Sequence, residues 1–236
     1  MLIAENIHKK YKRPVLDGVG LTVGAFGSEI IGLAGENGSG KSTLLSVMTG
    51  ILRPNSGRVT VEGDDIFKNP RVLRKWIGYV PQESSLFDQL SALDNIKLWA
   101  SAYGADWRAA LPILFPEETN TQIRREFLRK KCGKLSGGMK KRLSIAISSM
   151  HSPKYLIMDE PSAGLDIGFK QRLADTMRTM KQNGQCVVFS THHPDELLLC
   201  DRIYVLRDGV FVFMGEPSEL GTERTMTENL FKLTKR

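Results

Sequence analysis

Three things that this sequence has little of narrow the class of protein. Cysteine is scarce, because the 236 residues contain only Cys132, Cys186 and Cys200. None of the three stands in a C-x-x-C or other metal-ligand spacing, so we expect reduced, partly buried thiols of a cytosolic protein. The composition, 41% hydrophobic and 25% charged, excludes a disordered or collagen-like chain and is typical of a globular domain.

Long apolar runs are also missing. No uncharged stretch approaches the roughly 20 apolar residues that a membrane helix requires. The opening residues, M-L-I-A-E-N-I-H-K-K, form too short an apolar run and carry charge too early for a secretory signal peptide. We therefore expect the chain neither to span a membrane by itself nor to carry a secretion signal.

Acidic residues are outnumbered by basic ones, 26 to 33, which gives a formal net charge of +7. The surplus lies in residues 121–142, where the sequence has a dense run of Lys and Arg and a single acid, Glu126. A run of this kind is usually a solvated helix face. Attraction to phosphates or to anionic lipid headgroups is the alternative interpretation.

Short β-rich segments alternate with helix-period segments, which predicts an α/β fold with a mainly parallel central sheet. Three continuous apolar runs, at 30–34, 155–158 and 187–189, are typical of strands buried on both faces and should form the middle of that sheet. The strand candidates are residues 2–7, 15–23, 29–34, 58–61, 77–80, 155–158, 186–190 and 203–206.

Between residues 84 and 150 the β signals fade and helical periodicity replaces them. Ser91 and Asp94 resemble a capping box, and a further helix is predicted at 121–131. Leu111-Pro112 and Phe115-Pro116 should interrupt any continuous helix between the two.

These patterns predict one domain over residues 1–236. Its α/β core is expected at 1–83 and 151–216, with a helical subdomain inserted at 84–150. Asp208-Gly209 predicts a hairpin turn near the end of the core, and the residues from 217 to 236 should form a helical tail.

A glycine-rich segment, G-E-N-G-S-G-K-S-T, follows the apolar strand that ends at Ala34 and precedes a helical run. It fits G-x-x-x-x-G-K-[ST] in the strand-to-helix setting that a phosphate loop requires. The glycines let backbone N–H groups turn toward phosphate oxygens, and the helix N-terminus adds the positive end of a dipole. Lys41 should reach the β- and γ-phosphates, and the Ser42 hydroxyl should ligate Mg²⁺. The predicted nucleotide-binding residues here are Gly35, Glu36, Asn37, Gly38, Ser39, Gly40, Lys41, Ser42 and Thr43.

A pair of acids, Asp159 and Glu160, ends the apolar strand at 155–158. Asp159 can hold the hydration shell of Mg²⁺, and Glu160 can orient or deprotonate an attacking water. A paired buried salt bridge is the alternative, since buried carboxylates need partners. Because a phosphate loop alone leaves kinases, GTPases and other ATPases open, the remaining motifs must decide.

A second anion site is indicated where a hydroxyl and two small residues open a helix, since N–H groups are exposed there too. We call this the signature segment. It consists of Leu135, Ser136, Gly137, Gly138 and Met139.

In this order the motifs resemble those of the ATP-binding subunits of ABC transporters, over nearly the whole chain. The order is phosphate loop, Gln82, signature segment, the strand ending in Asp159-Glu160, the S-A-G-L-D run at 162–166, and Ser190-Thr191-His192. The resemblance implies a P-loop NTPase core with an N-terminal antiparallel β portion. It also implies ATP and Mg²⁺ as cofactors, and ATP hydrolysis coupled to transport.

The resemblance also implies roles for single residues. Catalysis would involve Glu160, Lys41 and His192, whose imidazole would contact the γ-phosphate. Gln82 would reach Mg²⁺ and report the nucleotide state to the helical subdomain, and Tyr11 would stack on adenine. A satisfied core histidine and a surface tyrosine are the alternatives for His192 and Tyr11, and we expect His193 at the surface.

A dimer follows from the same resemblance, because the signature segment of one subunit covers the γ-phosphate held by the other. Asp166 would lie in the loop that crosses this interface, between identical subunits or paralogues. Met139 stands where the family commonly has glutamine, and Ile167 where it commonly has proline, but neither removes a phosphate ligand.

The expected partner is a separate transmembrane permease that holds the chain on the inner face of the cell membrane. L-S-G-G-M-K and the absence of a long regulatory domain are most similar to exporter-type subunits. The alternatives are a soluble mechanical ATPase that acts on nucleic acid or an assembly complex, and a regulatory subunit without turnover. No coiled coil and no second cassette is present to support a nucleic-acid role, so no specific nucleic acid is expected.

Overall fold

Two sheets form the framework of the protein, for which a computed structural model describes residues 1–115 and 119–235. In chain order the strands are β1 (Leu2–Lys10), β2 (Pro14–Val23), β3 (Ile30–Ala34), β4 (Ser56–Val61), β5 (Asp64–Asp65), β6 (Ile77–Val80), β7 (Tyr155–Met158), β8 (Cys186–Thr191), β9 (Arg202–Arg207) and β10 (Val210–Gly215). The smaller sheet has the order β2-β1-β4-β5 and is antiparallel throughout. It is the N-terminal antiparallel portion that the family resemblance implies.

The larger sheet has the order β10-β9-β3-β8-β7-β6 and is parallel except for β10. The three apolar runs became β3, β8 and β7, which are neighbours, so the prediction that they form the middle is confirmed. In register, Ala34 pairs with Thr191 and Met158 with Phe189. The residues that follow these strands therefore meet at one edge of the sheet.

Helices cover both faces of the central sheet, and several of them lie between β6 and β7 along the chain. They are α1 (Lys41–Met48), α2 (Arg71–Trp76), α3 (Ala92–Tyr103), α4 (Leu111–Leu114), α5 (Thr121–Arg129), α6 (Gly137–Ser149), α7 (Ile167–Gln182), α8 (Pro194–Leu197) and α9 (Glu223–Thr234). Short 3₁₀ turns lie at Trp107–Ala110, Cys132–Lys134 and Pro217–Leu220. No helix in the described ranges is long and apolar enough to cross a membrane.

Buried apolar side chains form three clusters. One lies between the antiparallel sheet, α1 and the central sheet, and includes Leu44 and Ile157. A second covers the opposite face under α7 and α9, and includes Leu173 and Leu230. The third lies among α3 to α6 around Ile96. The boundaries of the core, the inserted subdomain and the tail stay predictions.

Local signals set several helix ends. The Ser91 hydroxyl accepts a hydrogen bond from the N–H of Asp94, 3.1 Å away, and so caps α3 as predicted. α5 ends at Arg129, two residues before the predicted end. α3 ends at Tyr103 and α4 is a separate short helix, so a continuous helix is interrupted as predicted. Pro112 lies in the first turn of α4, where its missing N–H costs no intrahelical bond. Pro116 lies outside the described residues.

The hairpin and the cysteines follow the sequence interpretation. Asp208 and Gly209 join β9 to β10 with φ of 49° and 81°, the two positive values that a type I′ turn needs. Cys132, Cys186 and Cys200 are unpaired and buried.

The basic stretch is only partly a solvated face. Arg125, Arg129 and Lys130 are exposed as expected, but Lys141 is buried and Arg142 is half-buried. The Arg142 guanidinium donates to the carbonyl oxygen of Leu114 over 2.8 Å. The expectation of a solvated face is therefore wrong for these last two residues, which serve contacts within the fold.

Candidate nucleotide site

The phosphate loop is shaped by glycines where no side chain fits. A Cβ on Gly35 would lie 2.3 Å from the carbonyl oxygen of Leu206, and one on Gly40 would lie 2.8 Å from that of Val15. Gly40 precedes α1 with a left-handed φ of 111° and offers no side-chain cap. The first N–H groups of α1 thus keep their hydrogen-bonding capacity for a ligand.

Lys41, the first residue of α1, is buried behind this loop. Its Nζ donates to the carbonyl oxygens of Gly35 and Glu36, at 2.7 and 3.0 Å. Burial lowers the pKa of Lys41, while the negative charges of Glu160 and Asp159 act in the opposite direction. The lysine is therefore held within electrostatic range of both acids.

A second buried group in the loop supports a phosphate ligand. Ser39 is buried, and its hydroxyl has no hydrogen-bond partner among the described residues. A buried hydroxyl without a partner is costly, so a site that binds an anion explains its presence. Glu36, Asn37 and Gly38 form the exposed rim of the loop.

The two acids are held by a serine that the sequence interpretation assigned no role. The Ser190 hydroxyl, on β8, donates to Asp159 Oδ1 over 2.5 Å and accepts from the N–H of Glu160 over 2.8 Å. Glu160 has a φ of 43°, a conformation rare for residues with a side chain and common at functional sites. On the other side, the N–H of Asp159 donates to the Val80 carbonyl oxygen over 2.8 Å.

Gln82 and His192 both lie beside Glu160. The Gln82 side-chain amide is 3.4 Å from Glu160 Oε2, and His192 Nδ1 is 3.7 Å from Glu160 Oε1. The structure thus brings together three predicted site residues that are far apart in sequence. His193 is half-buried rather than at the surface, with its ring 4.1 Å from that of His192.

Tyr11 stands in the loop between β1 and β2 with 57% of its surface exposed. The Lys9 ammonium lies 5.5 Å from the centre of the Tyr11 ring. The backbone N–H of Tyr11 donates to the Arg13 carbonyl oxygen. The ammonium lies over one face of the ring, and the role of Tyr11 toward adenine stays a prediction.

The signature segment forms the exposed start of α6. The Ser136 hydroxyl accepts from the N–H of Met139 over 3.3 Å, and a Cβ on Gly137 would meet open space. Leu135 is buried among the helices and fixes the segment from behind. Gly138 lies near Leu165, just before Asp166.

Asp166 begins α7, where its carboxylate accepts from the N–H of Phe169 over 2.9 Å. The next residue, Ile167, is 88% exposed.

The donors near the loop fit Mg²⁺. They are the Ser42 hydroxyl, the Asp159 carboxylate and the Gln82 amide oxygen, and no group of three or more His, Cys, Asp or Glu in the described chain could hold a metal. Mg²⁺ is usually held by one or two carboxylates together with substrate phosphates, rather than by an all-protein cage. This donor set therefore suits a nucleotide-bound Mg²⁺.

Comparison with known proteins decides the family. Residues 16–163 match the family described as ABC transporter. The chain belongs to the ABC transporter family. As an ABC-type ATP-binding subunit it is an ATPase, and the comparisons give no support to the alternative of a nucleic-acid-acting enzyme.

Two curated relatives carry related names. The chain is 35% identical over 227 residues to the linearmycin resistance ATP-binding protein LnrL of Bacillus subtilis (strain 168). This match covers 93% of this chain and 70% of LnrL. It is 32% identical over 205 residues to the probable multidrug ABC transporter ATP-binding protein YbhF of Escherichia coli (strain K12). That match covers 87% of this chain but only 35% of YbhF.

Solved structures confirm the predicted fold class. The structure of an ATP-binding subunit of an ABC transporter matches over 100% of both chains, with a TM-score of 0.86 and 26% identity. The dimeric structure of a bacterial ABC transporter cassette matches over 92% of this chain and 99% of that one, with a TM-score of 0.82 and 26% identity.

Two residues that matter to the site were missed from sequence. Ser190 was read only as part of a motif, and Lys141 only as part of a basic run. No apolar periodicity marks Lys141, because Ser144 and Ser148, which share its face of α6, are polar although buried. No local signal marks Ser190, whose role depends on the register between β7 and β8.

Proposed function

We propose that this chain drives export through a separate membrane permease, as one of two ATP-binding subunits that close on ATP and separate after hydrolysis. The observation that carries the proposal is the edge of the central sheet. There a buried lysine, two acids joined by Ser190, an amide and an imidazole lie around one phosphate loop. This arrangement has the parts that phosphoryl transfer to water requires.

In the proposed reaction, Lys41 and the first N–H groups of α1 bind the β- and γ-phosphates. Glu160 accepts a proton from the water that attacks the γ-phosphorus, the bond to the bridging oxygen of ADP breaks, and inorganic phosphate leaves with the added oxygen. His192 donates a hydrogen bond to a γ-phosphate oxygen. Gln82 holds the Glu160 carboxylate on the side of the water.

Ser42, Asp159 and Gln82 would hold Mg²⁺, which supplies neutralisation of the phosphate charge when bound. The Ser190 hydroxyl donates a hydrogen bond to Oδ1 of Asp159. The other carboxylate oxygen, Oδ2, would then be the one that faces the metal. Tyr11, which is 57% exposed, would stack on the adenine, and this contact would discriminate little between bases.

A second subunit is proposed because the signature segment is exposed and already capped within its own chain. Its N–H groups suit a γ-phosphate held by another copy. Exposed Ile167 beside Asp166 adds apolar area to the same surface. The dimeric structure of the similar bacterial ABC transporter cassette supports this arrangement.

The permease would dock in a groove between the α/β core and the helices. This groove of about 490 Å³ is lined largely by apolar side chains, among them Ile51, Leu73 and Trp99, and it reaches Pro81 beside Gln82. The relatives named for linearmycin resistance and multidrug transport favour export as the direction. The chain would then lie on the cytoplasmic face of the membrane.

The test is co-expression of the tagged chain with the membrane proteins encoded next to its gene. We expect a membrane protein to co-purify in detergent and ATP hydrolysis to be stimulated when the complex is placed in vesicles. Ile51→Asp should lose the membrane protein without losing the fold, because Ile51 is 66% exposed.

Met214→Asp is the matched control, because Met214 is similarly exposed but lies on β10, away from the groove. The proposal fails if no neighbouring membrane protein associates with the chain, or if both variants lose it equally.

A further inference from the structure

Lys141 is an unusual residue to find inside this protein. It lies in the second turn of α6 and is only 9% exposed, although lysines are almost never buried without a partner. Its ammonium donates two hydrogen bonds, both to main-chain carbonyl oxygens. The acceptors are Pro81 at 3.1 Å and Gln82 at 3.0 Å.

The two acceptors belong to the segment that carries Gln82. This segment leaves β6 at Val80, whose own carbonyl oxygen accepts from the N–H of Asp159. The Gln82 side chain then reaches 3.4 Å from Glu160. One side of the segment is thus held by the acids and the other by Lys141.

Lys141 also lies on the helix that begins with the signature segment. Lys141 lies five positions after Ser136, which corresponds to about 7.5 Å along the helix axis. α6 packs against β6, and the Ser148 hydroxyl donates to the Tyr79 carbonyl oxygen near the C-terminal end of the helix. Lys141 is the attachment at the near end, where the catalytic groups are.

We propose that Lys141 is a positioning residue for ATP hydrolysis, which acts by fixing the main chain of Gln82 to the signature helix α6 so that the Gln82 amide stays at Glu160. The proposal rests on the proposed function, because it concerns the same reaction. An ammonium suits this role because it offers three donors and can bond two carbonyl oxygens at once. Displacement of a catalytic group by even about 1 Å can cost on the order of 100-fold in rate.

The test is the purified full chain with Lys141→Met, which keeps the length and removes the donors. We expect kcat for ATP hydrolysis to fall roughly 10- to 100-fold, with an unchanged dissociation constant for ATP because the phosphate loop is intact. Lys141→Arg keeps donors and should recover much of kcat. Lys141→Leu, which also lacks a donor, replaces Lys141→Met in all measurements if the latter does not fold.

A double-mutant cycle with Gln82→Ala separates positioning from a general loss of stability. If Lys141 acts through Gln82, adding Lys141→Met to Gln82→Ala should lower kcat no further. The proposal is overturned if Lys141→Met turns over ATP at the wild-type rate, or if its loss multiplies in full with that of Gln82→Ala.

Two matched variants serve as controls. Lys140→Met removes the neighbouring ammonium, which pairs with Asp88 at 2.8 Å, and should keep kcat. Ser148→Ala removes the hydrogen bond from α6 to Tyr79 of β6 and should lower the melting temperature without lowering kcat. A loss of kcat in Ser148→Ala as large as in Lys141→Met would overturn the proposal, since any loosening of α6 would then suffice.

Hydrogen exchange tests the contact independently of turnover. In Lys141→Met, amides at 82–86 should exchange faster, while those of the phosphate loop at 35–43 should not change. If the wild-type chain hydrolyses no ATP, the proposed function fails, and exchange still decides whether Lys141 holds this segment. Unchanged exchange at 82–86 would overturn the positioning role.

Discussion

The two helices whose N-termini can bind anions, α1 and α6, begin in opposite ways. α1 follows Gly40, has no side-chain cap, and starts with buried Lys41. α6 follows Ser136, whose hydroxyl already accepts an N–H of its first turn, and this start is exposed. The first N–H groups of α1 therefore have no side-chain acceptor in their own chain. At the start of α6, a side chain of the same chain already accepts one of these N–H groups.

Their surroundings differ in the same sense. The start of α1 lies within electrostatic range of Asp159 and Glu160, and Gln82 and His192 complete that edge. The start of α6 faces open space at Gly137 and has exposed Ile167 nearby. In the proposed reaction, the start of α1 would hold the chemistry and the start of α6 would complete a site in a second molecule.

The largest effect should come from the acid edge at α1. Glu160→Gln should lower ATP turnover by roughly 10²- to 10⁴-fold, because a carboxamide cannot accept the proton of the attacking water. ATP should still bind, and a closed dimer should accumulate, visible by size-exclusion chromatography in ATP. Glu5→Gln, an exposed acid on β1, is the control, and wild-type turnover in Glu160→Gln would remove this residue from the mechanism.

The two helix ends should differ in their effect on ATP affinity. Lys41→Ala removes an ammonium donor to the phosphates and should weaken ATP binding roughly 10- to 100-fold, as loss of a charged hydrogen bond implies. Ser136→Ala should leave the affinity of a single chain unchanged. Equal losses, measured by equilibrium titration with a fluorescent ATP analogue, would contradict the division of roles between α1 and α6.

Mixing two inactive chains tests whether the end of α6 acts in another molecule. Gly137→Asp should fold, because its side chain meets open space and an acid is favourable at a helix start, but it should repel a phosphate. A mixture of Gly137→Asp with Lys41→Ala should regain part of the ATPase activity. Each chain supplies what the other lacks, and a mixture as inactive as its components would restrict the signature segment to its own chain.

The smallest effect should come from a residue that touches neither end. Glu62 accepts hydrogen bonds from Lys154, the N-terminal ammonium and Tyr155. Burial alone would raise the pKa of Glu62, but these donors outweigh it and lower the pKa from an ordinary 4.5 to about 2.

Since the folded state favours the charged carboxylate, its contribution should be present above pH 4.5 and be lost as the pH falls toward 2. Glu62→Gln should therefore cost about 1 kcal/mol of unfolding free energy at neutral pH. The difference from wild type should shrink below pH 4.5 in denaturant titrations, while ATP affinity stays constant. A change in ATP affinity would mean that the fold and the two ends are not independent.

Local patterns predicted most of the framework. The apolar runs at β3, β7 and β8 and the loop glycines are set by short-range periodicity and turn chemistry, which a single sequence displays. Pairings over long sequence separations were not predictable in this way. The Ser190 contact depends on sheet register, and burial of Lys141 depends on which face of α6 meets β6, so both required the structure.

The Ser190 hydroxyl has a further consequence, which concerns tolerance to substitution. Because it gives its one proton to Asp159 and accepts the N–H of Glu160, position 190 needs a side chain that is donor and acceptor at once. The position is fully buried, so this side chain must also be small. Alanine would leave two buried polar groups unpaired, and valine would do the same and would also be too large for the site. A strict chemical requirement in β8 thus lies two residues before His192, at a residue that contacts both acids and has no direct part in the proposed reaction.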